Sequence, residues 1–231
     1  MRSALLLLLS AALMSGACSS KSESTTDNIK SPSASTSTSS VSYAEDATDI
    51  TPVLTGTTIP NPAVRTVKGD SVQLMDLVSQ KPTVLIFYRG GWCPYCSKHM
   101  AELQQAESKL VEMGYQLLAV SPDRPEKLKE SIGEHDLSYT LLSDSPMKAA
   151  SAFGLAFKVD QETLKRYNEV GIDLEASSGY DHHLLPVPAV YLVDTEGMIH
   201  FQYVNPDYQT RINSHVLLTA AEEYYPEEVE S

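Results

Sequence analysis

Two cysteines three residues apart, Cys93 and Cys96, carry the clearest chemical potential in this chain. They lie in Tyr88-Arg89-Gly90-Gly91-Trp92-Cys93-Pro94-Tyr95-Cys96. The preceding run, Thr83 to Tyr88, is apolar and rich in β-branched residues, as a buried strand is. The following run carries Met100, Leu103, Ala106, Leu110 and Met113 at steps of three and four, one face of a helix. Gly114 then stands where a C-cap glycine belongs. Both cysteines therefore fall between a strand end and the first turn of a helix. Free N–H groups and the positive end of the helix dipole stabilise an anion there. Such sites lower a thiol pKa from about 8.5 to roughly 3.5–7.5. Cys93, nearer the helix start, is expected to attack. Cys96, one turn on, is expected to resolve, at a spacing that suits a disulfide. Pro94 can open the helix because its missing N–H had no partner to lose. A structural zinc needs four ligands, and neither a second CxxC nor a closely spaced Cys/His pair is present. Redox chemistry is the expectation, with no cofactor and no metal.

The surrounding chain says where such a pair would work. Net charge is −13 over 231 residues, which argues against nucleic acid as a partner. Residues 1–17 read as an export signal: Arg2, then an apolar run from Ala4 to Met14, then Ser15-Gly16-Ala17 before Cys18. That pattern resembles a bacterial lipoprotein signal, although Ser15 stands where the lipobox usually has Leu. It implies a lipid on Cys18, attachment to a membrane of the bacterial cell envelope, and a domain facing the periplasm. Lipidation would also account for the odd cysteine among three, leaving one pair in a compartment where disulfides persist. Residues 18–56 are rich in Ser and Thr and are expected to form a flexible tether. The folded domain is expected over 57–231.

Within it, Ala63 to Val67 and Ser71 to Leu74 read as a hairpin about Lys68-Gly69-Asp70. Tyr115 to Val120 and Tyr139 to Leu142 read as strands, with helices opened by Pro125 and Pro146. Strands alternating with helices argue for an α/β fold built from βαβ units. Leu155 to Leu185 reads as an insertion with little strand character, holding one helix over Asp160 to Val170. His182 and His183 read as loop residues, with ligand and proton-carrier roles as the alternatives. His99 reads as a helix-surface residue. Val187 to Asp194 and Met198 to Val204 form a second hairpin, and a helix from about Thr210 to Tyr224 closes the domain, with Ile212, Val216, Leu217 and Ala220 inward.

A CxxC after a central strand, then a Val-Pro leading into a strand and hairpin, resembles the thioredoxin fold. That fold is a central mixed sheet flanked by helices. The resemblance implies that Pro188 forms a cis peptide bond beside the cysteines. The finer match is to the peroxiredoxin-like branch of the alkyl hydroperoxide reductase / thiol-specific antioxidant family. Residues Phe87 to Cys96, Gly171 to Glu175, Leu185 to Ala189, and Val204 to Tyr208 with Arg211 carry it. Peroxiredoxins proper carry a hydroxyl residue three positions before the cysteine and a proline four further back. Here those positions are Gly90 and Ile86. The resemblance implies an antioxidant thiol oxidoreductase that reduces a hydroperoxide through Cys93 and Cys96 and is recycled by a thioredoxin-like thiol donor. Arg89 or Arg211 would supply charge near the thiolate, and Trp92, Pro94 and Tyr95 would complete the site. Two alternatives stand. Cys93 could attack a protein or small disulfide, making the chain a tethered thiol:disulfide oxidoreductase. Less expected is a copper-handling protein that pairs the thiolates with His182 or His183.

Overall fold

A computed structural model describes residues 41–135 and 139–224. The expectations for residues 1–40, including Cys18 and the export signal, lie outside the described residues.

The seven-stranded sheet takes its order from a few short strands. β1 (Ala63–Thr66) and β2 (Ser71–Gln73) form the expected N-terminal hairpin, followed by the short helix α1 (Leu74–Val78). β3 (Thr83–Phe87) is central and leads into α2 (Pro94–Glu112). β4 (Gln116–Ser121), α3 (Pro125–His135), β5 (Thr140–Ser143) and α4 (Lys148–Ala152) follow. β8 (Ala189–Val193) and β9 (Ile199–Val204) form the second hairpin, and α7 (Ser214–Glu223) comes last among the described elements. The order is β2-β1-β5-β4-β3-β8-β9. β3, β4 and β5 run parallel and the rest pair antiparallel, so the sheet is mixed, as expected.

β3 is buried along its whole length, and its alternation explains why it reads as an unbroken apolar run. Val84, Ile86 and Tyr88 face one layer, with Met100, Leu103 and Leu110 of α2 and Leu217 and Ala221 of α7. Leu85 and Phe87 face the other, with Leu74 and Val78 of α1 and Phe153 after α4. Phe87, Phe153 and Tyr191 pack ring against ring there, with centroids 4.8 to 6.3 Å apart.

Four expectations change. Residues 41–56 are docked, not a free tether: Ala44 N–H bonds to Ala156 O at 2.9 Å, and Val53 N–H to Phe153 O at 3.1 Å. The reason is a few apolar residues among the Ser and Thr, since Val41, Ile50 and Val53 pack against the core. The insertion carries strands after all. β6 (Ala156–Lys158) and β7 (Leu184–Pro186) pair antiparallel and close it at its base, around α5 (Gln161–Glu169) and α6 (Leu174–Ser178). His99 is buried, 5% exposed, on the inner arc of α2 beside Met100. Val216 points outward, and Ile212 is buried ahead of α7, whose cap is Asn213.

Candidate active site at the strand–helix junction

The cysteines sit where the sheet's central strand hands over to α2. Tyr88 extends β3 by one more bond to Val120 O. The chain then turns tightly at Gly90, whose φ of +142° suits glycine. A Cβ on Gly90 would lie 2.4 Å from Trp92 Nε1 and 2.9 Å from Asp123 Oδ1. Gly91 donates its N–H to Asp123 Oδ2 at 2.7 Å, which pins the turn to the end of β4. Cys93 is the N-cap residue of α2, and Pro94 follows at the first helical position. The first turn contains no acidic residue, so the helix's positive end faces no competing carboxylate on its own turn.

Both cysteines are buried and present as thiols. A hydrogen bond from Cys96 is the main force pulling the Cys93 pKa from 9.0 down to about 6; burial opposes it, and the Arg89 and Arg211 charges assist. Cys96 goes the other way. Burial, and then the neighbouring Cys93 anion, push its thiol up. The pair is thus split into an anion and its hydrogen-bond donor, with ionisation favoured at Cys93 and opposed at Cys96.

Both arginine charges act on Cys93, and Arg211 also reaches Cys96. Arg211, from the loop between β9 and α7, places Nη2 3.6 Å from Cys96 Sγ. Arg89 is 3% exposed and sits among rings: its guanidinium lies 4.0 Å from the Tyr208 centroid, 5.3 Å from Trp92 and 5.6 Å from Tyr167. It donates to the Tyr167 hydroxyl, and its Nε has no partner among the described residues. Rings with their negative faces toward a cation offset part of its desolvation. Tyr208 is held over Arg89 by a built turn, in which Asp207 accepts from Gln209 N–H and from the Thr210 hydroxyl. Tyr95 and Tyr208 meet edge to face at 5.6 Å, both partly exposed at the mouth. Pro188 is buried just ahead of β8, where Ala189 pairs with Phe87, so it lies at the cysteine end of the sheet.

Cys93, Cys96, Arg89, Trp92 and Arg211 therefore come together, with Pro94 and Tyr95 on the helix start and Pro188 just ahead of the neighbouring strand. Neither Tyr167 nor Asp123 stands out as a site residue in the sequence. The signal for Asp123 was an acid close after the apolar run Leu117 to Val120. The histidines are elsewhere engaged. Leu184 N–H donates to His182 Nδ1 at 3.0 Å, leaving Nε2 to donate to Ser145 O at 2.8 Å, and His183 pairs with Glu175 at 2.7 Å. With both its nitrogens used, His182 is not free to ligate, and no cluster of three metal-ligating side chains forms among the described residues.

Fold and junction together define a thioredoxin-like α/β domain with a dithiol at the N-terminus of its central helix. Residues 55–202 match the AhpC/TSA family model, and the chain belongs to that family. A putative peroxiredoxin bcp of Haemophilus influenzae is 34% identical over 84 residues, 36% of this chain and 54% of that one. The thiol-disulfide oxidoreductase ResA of Halalkalibacterium halodurans is 24% identical over 89 residues, 38% of this chain and 49% of that one. The chain thus spans about half the length of these two relatives. Among solved structures, reduced Prx3 of Vibrio vulnificus in complex with H2O2 superposes with a TM-score of 0.60 at 17% identity, over 73% of this chain and 98% of that one. This likeness is one of fold.

Proposed function

We propose that this chain is a thiol-dependent peroxidase of the peroxiredoxin-like kind, with Cys93 as its nucleophile. The observation that carries this is the Cys93 thiol held near pKa 6 at a helix start, within the field of Arg89 and Arg211, in a member of the AhpC/TSA family. The Cys93 thiolate attacks the outer oxygen of a hydroperoxide. The O–O bond breaks, the departing oxygen takes a proton, and Cys93 becomes a sulfenic acid. Cys96 then attacks the Cys93 sulfur and water leaves. A thioredoxin-like dithiol donor reduces the resulting disulfide. In the same reading, Cys18 carries a lipid that holds the domain to the cell envelope. Mass spectrometry of the membrane-bound chain should find Cys18 acylated; an unmodified thiol there would remove the anchor.

One observation favours a second reading. Gly90 leaves the turn without the hydroxyl that positions peroxide, and the same dithiol would serve disulfide exchange. Rapid mixing of reduced protein with hydrogen peroxide, an organic hydroperoxide and a small disulfide, followed by Trp92 fluorescence, separates the two. Saturating oxidation by a hydroperoxide is expected. Peroxide reactivity no better than that of a free thiol, with fast disulfide exchange, would make the chain a disulfide reductase.

The pH dependence has a fixed sign. Because folding lowers the Cys93 pKa from 9.0 to about 6, the rate of first oxidation should rise through pH 6 and level off above it. The same group contributes stability that is complete above pH 9 and is lost as pH falls through 6. A rate that climbs steadily to pH 9 would refute the lowered thiol.

A further inference from the structure

Arg89 is a buried cation, and among the described residues no carboxylate pairs with it. A charge taken out of water is costly unless an opposite charge answers it. Here the answering anion is the Cys93 thiolate, whose ionisation the Arg89 charge favours. That influence depends on where the guanidinium sits. The two residues after Arg89 are Gly90 and Gly91, so its own turn offers no side chain to hold it.

What holds it comes from the insertion. The Tyr167 hydroxyl accepts a hydrogen bond from Arg89 Nη2, and the Tyr167 ring lies 5.6 Å from the guanidinium. Tyr167 stands in the last turn of α5, where its backbone oxygen takes the N–H groups of Val170 at 3.1 Å and Ile172 at 2.9 Å. Its ring packs on Trp92, with centroids 5.7 Å apart, and joins a small cluster around Val159, Leu174 and Leu185. The β6–β7 ladder closes the same segment at its base. The hydroxyl is therefore carried on a braced element.

The chemistry of the acceptor matters. An Asp or Glu in its place could fix the guanidinium, but its own charge would cancel much of the cation's pull on a nearby thiol. A phenol accepts without charge. Burial raises the Tyr167 pKa, with Arg89 opposing, so the hydroxyl stays neutral where a thiol of low pKa works. The arginine is held, and its charge is left for Cys93.

We propose that Tyr167 is a positioning residue for the first step: its hydroxyl fixes the Arg89 guanidinium so that the charge bears on Cys93, which makes the insertion part of the active site. The groups facing Cys93 are Cys96 from α2, Arg89 from the turn after β3, Arg211 from the loop before α7, and Tyr167 from α5. Tyr208 in turn faces Tyr167.

The inference rests on Cys93 as the attacking thiol, and its test uses no oxidant. Reduced full-length protein is alkylated with iodoacetamide from about pH 5 to about pH 10, and the Cys93 peptide is followed by mass spectrometry. In the wild type the rate should rise with a midpoint near pH 6. Tyr167→Phe keeps the ring on Trp92 and loses the hydroxyl. Its midpoint should move up by about one pH unit. The rate at pH 6, as a fraction of its own plateau, should then fall about fivefold. Arg89→Met should also raise the midpoint, and adding Tyr167→Phe to it should raise it no further, because a residue that acts through Arg89 then has nothing to position. An unmoved midpoint in Tyr167→Phe, or a second shift on top of Arg89→Met, would overturn the proposal. A wild-type midpoint near 9 would instead overturn the lowered thiol itself, and with it the reading of Cys93 as nucleophile.

Discussion

Cys93→Ser should abolish turnover with either class of oxidant, whereas Cys96→Ser should spare the first encounter and stop the cycle one step later. The asymmetry follows from the two pKa shifts. At pH 7 a thiol with a pKa of about 6 is roughly nine-tenths thiolate, while the raised pKa of Cys96 leaves it protonated. A serine hydroxyl at 93 has no comparable ionised form, so the rate should fall about 10³-fold or more, to that of uncatalysed oxidation. Serine at 96 still offers a hydrogen-bond donor to Cys93, so first oxidation should remain within a few-fold. The product should then be a single trapped sulfenic acid or mixed disulfide on Cys93, detected by mass spectrometry after thiol-specific labelling. Turnover that persists in Cys93→Ser would reverse the assignment.

The second large effect concerns stability. Gly90→Thr would restore the hydroxyl that the peroxiredoxin pattern places three residues before the cysteine. It should instead destabilise the domain by about 3 kcal/mol, lowering Tm by roughly 6–12 °C. Two causes add. A φ of +142° is strained for a β-branched residue. The new Cβ would also meet Trp92 Nε1 at 2.4 Å and Asp123 Oδ1 at 2.9 Å. The missing hydroxyl is therefore part of how Trp92 and Asp123 pack on the turn, and adding it should not raise peroxidase activity. An unchanged melting curve would mean that the turn takes another path.

Much of the junction was legible because local patterns dictate it. A strand buried on both faces must read as a continuous apolar run, and a helix with one inner arc must repeat at three and four. Thr83–Phe87 and Pro94–Glu112 follow from those two facts. His99 was misjudged although the same arc contained the answer, since it adjoins Met100 and follows Cys96 by three residues. The cage around Arg89 was out of reach. Tyr167 lies 78 residues further on, in a segment whose two strands have three residues each, too short to show alternation. The docking of residues 41–56 was hidden for a related reason: Val41, Ile50 and Val53 are too sparse to form a periodic signal, and their partners are set by the fold.

The ring cage also bears on ionic strength. A surface arginine would lose much of its pull on a neighbouring thiolate as salt rises, because mobile ions gather round both charges. Arg89 is enclosed by Trp92, Tyr167 and Tyr208, where few ions can follow. Its share of the field at Cys93 should stay nearly constant from dilute buffer to strong brine, so the nucleophile keeps its poise while the rest of this acidic surface is screened.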